Sequence, residues 1–352
     1  MKAAPDTTRT VRAVRTTGGY SFRVDVRACL VVVLLAAAAL AAAVVLIGSG
    51  DYAMSPGEVL TTLTGGGTFQ QEFVVTELRL PRVLVGLLVG AALGMGGAVF
   101  QSVSRNPLGS PDVLGLGQGS AVGALVVIVL LGGGATEVAA GAVAGGILTG
   151  AAVYLLAWKR GVHGYRLVLV GIGAAAMLTA ATHYLITKAD LVDATRAVVW
   201  MTGSLDGRDW AQVWPLLAVC AVLLPVVLGH GRALRMIEMG DDAAHALGVR
   251  VERTRLLLLG CAVLLVAVAT AAAGPIVFVS LSAPQVARRL TRAPGPNLAA
   301  SAATGAALLL VADWTALNAF GDRQLPVGVV TGVIGGCYLL WLLVSERRAG
   351  RI

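Results

Sequence analysis

Apolar residues run along this chain in blocks of about twenty, broken by short stretches rich in charge, proline or glycine, and about twenty residues is what a helix needs to cross a bilayer. Between the breaks, the pattern predicts helices at 28–48, 83–103, 113–132, 135–158, 167–187, 210–229, 254–273, 276–290, 298–312 and 327–344. The expected fold is all-α: a polytopic integral membrane protein with about ten transmembrane helices and no large soluble domain. The block at 276–290 is short, follows Gly274-Pro275 and contains Pro284 and Gln285. Broken helices of this kind persist where they face protein or a water-filled cavity.

Charge then orients the helices. With the N-terminus placed in the cytoplasm, the inside segments collect 21 of the 27 Lys and Arg residues, and only Arg79, Arg82, Lys188, Arg196, Arg208 and Arg323 fall outside. That asymmetry is the positive-inside pattern, and it puts both termini in the cytoplasm. The chain divides into a basic N-terminal segment (1–27), a membrane domain (28–344) with one large cytoplasmic loop at about 230–253, and a cytoplasmic tail (345–352). The basic start resembles a signal sequence in charge order, but the following apolar block exceeds a cleavable core, so a retained first helix is expected. A net charge of +8 is accounted for by these loops, and no nucleic-acid partner is expected.

Small residues mark where helices approach. Gly86, Gly90 and Gly94 recur every four residues, as do Gly141 with Gly145, Gly146 with Gly150, and Gly328, Gly332 and Gly336, a spacing that lets helix backbones pack closely in membranes. Arg79 to Gln101 and Arg253 to Gln285 both run from an Arg-led apolar helix through small residues to a Phe and a Gln, beginning on opposite sides of the membrane as inverted repeats do.

Several chemistries are excluded. The lysines, Lys2, Lys159 and Lys188, follow no G-x-x-x-x-G-K-[ST] loop, so the chain carries no ATP-binding P-loop of its own. His163, His183, His230 and His245 lack metal-ligand spacing, and Cys29, Cys220, Cys261 and Cys337 lie in apolar blocks without close pairing, which argues for no metal centre and no disulfide framework. There is no G-x-S-x-G nucleophile motif. An ion-coupled carrier keeps ionisable residues inside its spans, whereas Glu137 and Asp313 are expected at span ends, in the interface.

The loop from His230 to Arg253 reads as two short amphipathic helices joined at Gly240, with Asp241 and Asp242 suited to cap the second and Gly248 to end it. By itself it equally suits a solvated connector.

Four ordered stretches carry a resemblance. They are Arg79-Leu80-Pro81-Arg82 with the glycine-rich helix and Arg105-Asn106-Pro107-Leu108-Gly109-Ser110-Pro111-Asp112; Glu238-Met239-Gly240-Asp241-Asp242 with Ala246-Leu247-Gly248-Val249; Gly274-Pro275 to Arg289; and Gln324-Leu325-Pro326-Val327-Gly328-Val329-Val330-Thr331-Gly332. Together they resemble the membrane permease subunits of ABC importers for iron-siderophores, haem and vitamin B12, and most resemble ferric enterobactin permeases. Gln285 stands where histidine is usual, Gln324 where glutamate is common, and Leu317 where an outer-face arginine is expected.

The resemblance implies a type II ABC importer permease in a bacterial cytoplasmic membrane, with no catalytic residue and no cofactor, ATP being bound by the partner. It implies two ATPase subunits, a second permease (identical or paralogous) and an extracytoplasmic siderophore-binding protein. Met239, Gly240, Asp241, Asp242, Ala243, Leu247 and Gly248 match the coupling segment that docks on the ATPase. Arg79 and Arg82 match the arginines that meet acidic residues of the binding protein, although two arginines at a span end also suit headgroup contact. Ser280, Ser282 and Gln285, with 167–187, are expected along the pathway; the same polar residues equally suit helix–helix hydrogen bonds. The expected cargo is ferric siderophore. Cobalamin or haem import, an ion-coupled carrier and a membrane scaffold are the alternatives.

Overall fold

A computed structural model describes residues 11–15, 21–158, 164–319 and 324–348. The expectations placed on Lys2, Lys159, Arg160, His163, Arg323 and the end of the tail fall outside these residues. Within the basic N-terminal segment, β1 (Val11–Arg15) pairs antiparallel with β2 (Ser21–Asp25), with Ala13 opposite Arg23. Everything after it is helical.

The helices follow in order: α1 (Val26–Gly48), α2 (Pro56–Leu63), α3 (Phe69–Phe73), α4 (Leu80–Ser104), α5 (Leu116–Val126), α6 (Ala135–Ala157), α7 (Gly164–Lys188), α8 (Leu191–Met201), α9 (Trp210–Gly229), α10 (Gly231–Glu238), α11 (Asp241–Ala246), α12 (Val251–Ala273), α13 (Val279–Thr291), α14 (Leu298–Asn318) and α15 (Val327–Arg348). Among the described residues, seven helical stretches are long and apolar enough to cross a membrane: those at 26–48, 69–104, 135–157, 164–188, 210–229, 251–273 and 298–318. The stretches at 116–131 and 327–341 are apolar but shorter. The span expected at 276–290 is α13, a 13-residue helix that contains Pro284 and is preceded by non-helical residues from Gly274 to Val277. Among the described residues, length and composition alone thus identify seven candidate crossings and leave the expected ten unconfirmed.

One boundary departs from the pattern for a clear reason. The expected helix at 83–103 extends back to Phe69 through a π-helical stretch, Val74–Arg79. Pro81 cannot donate a backbone hydrogen bond, and the wider π turn ahead of it lets the helix continue across that gap. Helices α2 and α8 are too short to register as spans, while α3 opens the 69–104 stretch; Ser55 with Glu58 and Thr68 with Gln71 form reciprocal capping boxes that start α2 and α3.

The bundle has a dry centre and a lipid-facing rim. Helices α4 and α12 bury most of their apolar side chains, whereas α1, α6, α7 and α9 leave most of theirs exposed, as expected where lipid replaces protein as neighbour. Glycines set the closest crossings. A Cβ at Gly90 or Gly94 would strike the α14 backbone at Gly305 and Ser301, and one at Gly123 would strike Gly141 on α6. The third glycine series acts differently: Gly328 abuts the Thr202 carbonyl, but Gly336 faces open space.

Candidate functional site

The 230–253 loop forms the two short helices its sequence predicts. Gly240, at φ +120, joins α10 to α11, and Gly248, at φ +82, closes the second turn, where the Val249 N–H donates to the Ala244 carbonyl. The predicted cap is replaced by another arrangement: neither Asp241 nor Asp242 makes a side-chain cap. Asp241 instead accepts from Arg255 Nη2 at 2.8 and 2.9 Å and from Arg105 Nη2 at 2.6 Å, while Arg255 Nη1 reaches Glu252 at 2.7 Å. The Arg255 side chain is only 2 % exposed, so α11 is held to the start of α12 and the end of α4 by an ion cluster. Met239 (62 % exposed) and Leu247 (58 %) stand out from this platform, with Asp242 and Ala243 exposed between them.

Arg105 reaches Asp241 because of the turn that carries it. It ends α4 in the left-handed region, φ 51, uncommon for a residue with a Cβ. The Asn106 N–H donates to the Gln101 carbonyl, the Asn106 side chain accepts from the Leu108 N–H at 2.9 Å, and Pro107 stops the helix.

Beyond this turn, Asp112 accepts from Ser280 Oγ at 2.6 Å and from the Phe278 N–H at 3.3 Å. It thereby fastens the start of α13, where Phe278 itself has φ +69. Gln285 donates to Gln101 Oε1 (3.2 Å) and to the Pro107 carbonyl (2.7 Å), Gln101 donates to the Leu281 carbonyl (3.0 Å), and Ser282 bonds the Phe278 carbonyl (2.7 Å). Gln285 is thus tied to α4 and Ser280 to the turn that follows it, whereas the Ser282 hydroxyl bonds back to the head of its own helix; Ser280 is fully buried. Beside them lies a cavity of about 270 Å³ bordered by Asp112, Gln118, Thr202, Thr270, Ile276 and Val329. No residue of the predicted 167–187 stretch borders it.

At the opposite end of α4, Arg82 forks onto Asp313 (Nε–Oδ2 3.0 Å, Nη2–Oδ1 2.8 Å) and touches Asp206 at 3.2 Å. Asp313, expected at the interface, is completely buried: at this depth the carboxylate is tolerated because a bidentate guanidinium pairs it. Arg79 donates to the Ile47 carbonyl at 2.6 Å. Nearby, burial lowers the Arg208 guanidinium pKa, against the opposing pull of Asp206 and Asp209. Leu317, standing where an arginine was expected, packs on a cluster that includes Val83 and Leu310. Glu137 is exposed in the first turn of α6.

Among the described residues no group of three or more His, Cys, Asp or Glu side chains is placed to hold a metal ion. Sequence reasoning missed the roles of Arg105, Arg255, Asp112 and Asp206. Arg255 carried the only usable signal, a charge inside the edge of an apolar block.

A family model described as the FecCD transport family matches residues 34–345. The ferric enterobactin transport system permease protein FepG of Escherichia coli (strain K12) is 48 % identical over 300 residues, 85 % of this chain and 91 % of that protein. The iron(3+)-hydroxamate import system permease protein FhuG of Bacillus subtilis (strain 168) is 39 % identical over 306 residues, covering 84 % and 90 %. Among solved structures, a metal-chelate type ABC transporter in an inward-facing conformation superposes with a TM-score of 0.79 at 26 % identity, covering 91 % of this chain and 99 % of that one.

Proposed function

This chain belongs to the FecCD transport family, and from that premise we propose that it carries ferric siderophore inward across a bacterial cytoplasmic membrane as one half of a two-permease channel. Its family consists of permease subunits of ABC importers, in which separate subunits hydrolyse ATP. In this proposal two ATPase subunits clamp the cytoplasmic face, a second permease, identical or paralogous, completes the channel, and a siderophore-binding protein delivers cargo from outside. The chain crosses the membrane ten times, the seven long helices being joined by the two shorter apolar stretches and by α13, with both termini in the cytoplasm. FepG, whose name gives ferric enterobactin as its cargo, supports a catecholate chelate over cobalamin or haem.

The observation that carries the proposal is the platform at 239–248. A surface built to receive a partner needs exposed apolar anchors on a rigid support, and Met239 and Leu247 stand on a helix pinned by Asp241 to Arg105 and Arg255. Gly240 and Gly248 give the segment its turns, and Asp242 and Ala243 complete its exposed face. Movement of the ATPase pair would pull α11 and, through the ion cluster, both α4 and α12. At the other face, the proposal assigns Arg79 and Arg82 to the binding protein; Arg82 is mostly buried against Asp313, with the exposed Asp206 beside it. Ser282 and Gln285 border the pathway, and Ser280 positions the short helix.

The test is co-purification of the permease with its ATPase subunit and measurement of permease-stimulated ATP hydrolysis. Charge reversal of Asp241 and Asp242 should abolish stimulation while the protein remains in the membrane. Undiminished stimulation and uptake in that variant would overturn the assignment of the docking segment.

A further inference from the structure

A second cavity opens beside the docking segment and has no assigned role. It measures about 330 Å³ and is bordered by Gln101, Arg105, Asn106, Glu238, Arg288 and Gly295 among others. Its lining is polar, unlike the bundle around it. Its walls are fixed: Asn297 donates to the Ala293 and Gly295 carbonyls, each at 3.0 Å, and so holds the loop after α13 in shape. Arg105 is committed to Asp241, and Gln101 to Leu281.

Arg288 is the exception. Its Nε and Nη2 are hidden from solvent and have no hydrogen-bond partner; Arg255 also leaves its Nε unpartnered, but its other nitrogens, like those of Arg82, reach carboxylates. A guanidinium presents its donors in a planar fork that matches two oxygens of one carboxylate. One that has already lost most of its water forfeits little further solvation when a carboxylate arrives, so the pairing is stronger than at an exposed site. The cavity adjoins Glu238, one residue before Met239, and Arg105, which holds α11. The cavity therefore lies beside the segment proposed as the dock.

We propose that Arg288 is a socket for an acidic side chain of the ATPase subunit, a second anchor placed at the end of α13. This rests on the reading of 239–248 as the ATPase dock and extends it: the ATPase would grip α11 through apolar contacts and α13 through one carboxylate, so that its movement reaches the short helix directly. Glu238 lines the same cavity and already attracts the Arg288 guanidinium through space, so an incoming carboxylate must outcompete it.

Binding of the purified ATPase subunit to full-length permease in lipid nanodiscs tests this. Wild type, Arg288→Gln, Arg288→Lys and Met239→Ala would be compared after their thermal unfolding temperatures are shown to agree. The expected result is at least tenfold weaker binding for Arg288→Gln, partial recovery for Arg288→Lys, and recovery of Arg288→Glu by a lysine at one acidic position of the ATPase. If Met239→Ala weakens binding and Arg288→Gln does not, the socket is overturned and the dock stands. If the wild type binds no ATPase, both fail. Inorganic phosphate at 10 mM, on the order of a weak millimolar site, provides the remaining arm: an Arg288-dependent rise in the unfolding temperature of the permease alone, with ATPase binding unaffected by Arg288→Gln, would identify a free-anion site and overturn the proposal.

Discussion

Arg255 grips both carboxylate oxygens of Asp241, at 2.8 and 2.9 Å, from a side chain almost wholly buried at the start of α12. The pair joins a six-residue helix on the protein's rim to a helix at its centre, and Arg105 adds α4 to the same carboxylate. Removing one partner of such a pair strands the other charge; for a buried pair that costs about 3–5 kcal/mol, and the partial exposure of Asp241 reduces the figure here.

Arg255→Met is accordingly expected to leave folding largely intact, because Asp241 keeps Arg105, but to disconnect α11 from α12. The expected outcome is ATP hydrolysis that proceeds with uptake reduced by tenfold or more. Parallel assays of the two rates in proteoliposomes check it; equal loss of both would indicate lost assembly, and no loss of either would remove the cluster from the coupling path.

At the other end of α4, the Arg82–Asp313 fork predicts an asymmetric outcome. Arg82→Gln leaves a fully buried carboxylate without its guanidinium and should destabilise the protein by about 3–5 kcal/mol. The double variant Arg82→Met with Asp313→Leu should recover much of that stability and still transport poorly if Arg82 also meets the binding protein. Unfolding temperatures in detergent and binding-protein affinity separate the two roles.

Glycine positions offer a cleaner contrast. A Cβ at Gly97 would collide with the Ser280 carbonyl at the head of α13, whereas one at Gly336 meets nothing within 4 Å. Gly97→Ala should therefore cost about 1–3 kcal/mol or more, as overpacking does, and Gly336→Ala should stay within about 0.5 kcal/mol. Thermal denaturation of the two variants reads this directly.

Asp112 fastens α13 from a turn more than 160 positions away in the chain. Asp112→Ala leaves the Phe278 N–H and the Ser280 hydroxyl without their acceptor, so amide exchange over 278–282 should accelerate while α14 stays protected. Unchanged exchange in that stretch would show that Gly97 and the Gln101–Gln285 contact suffice to hold the helix.

These particulars mark what the sequence could and could not disclose. Apolar blocks of bilayer length announced the long helices, and the Gly86, Gly90 and Gly94 spacing announced a close helix crossing though not that α14 is the partner, because both signals are local and periodic. Gly240 and Gly248 announced the two turns of the docking segment, because each takes a backbone conformation that glycine favours. The ion cluster at Asp241 and the burial of Asp313 were hidden: their partners, Arg105 and Arg82, lie 136 and 231 positions away, and no local pattern distinguishes a paired carboxylate from one at the interface. Glycine spacing was a weaker guide in α15, where the same repeat abuts the Thr202 carbonyl at Gly328, only touches Val277 at Gly332 and meets nothing within 4 Å at Gly336.

The most direct measurement is uptake of iron-55 chelates by cells deleted for this gene, across a small panel of catecholate and hydroxamate siderophores, with complementation by the intact gene. The account predicts selective loss of a catecholate chelate, restored by the wild-type gene and not by the Asp241 and Asp242 charge-reversal variant. Normal uptake of every chelate in the deleted strain, with cobalamin or haem uptake lost instead, would contradict it.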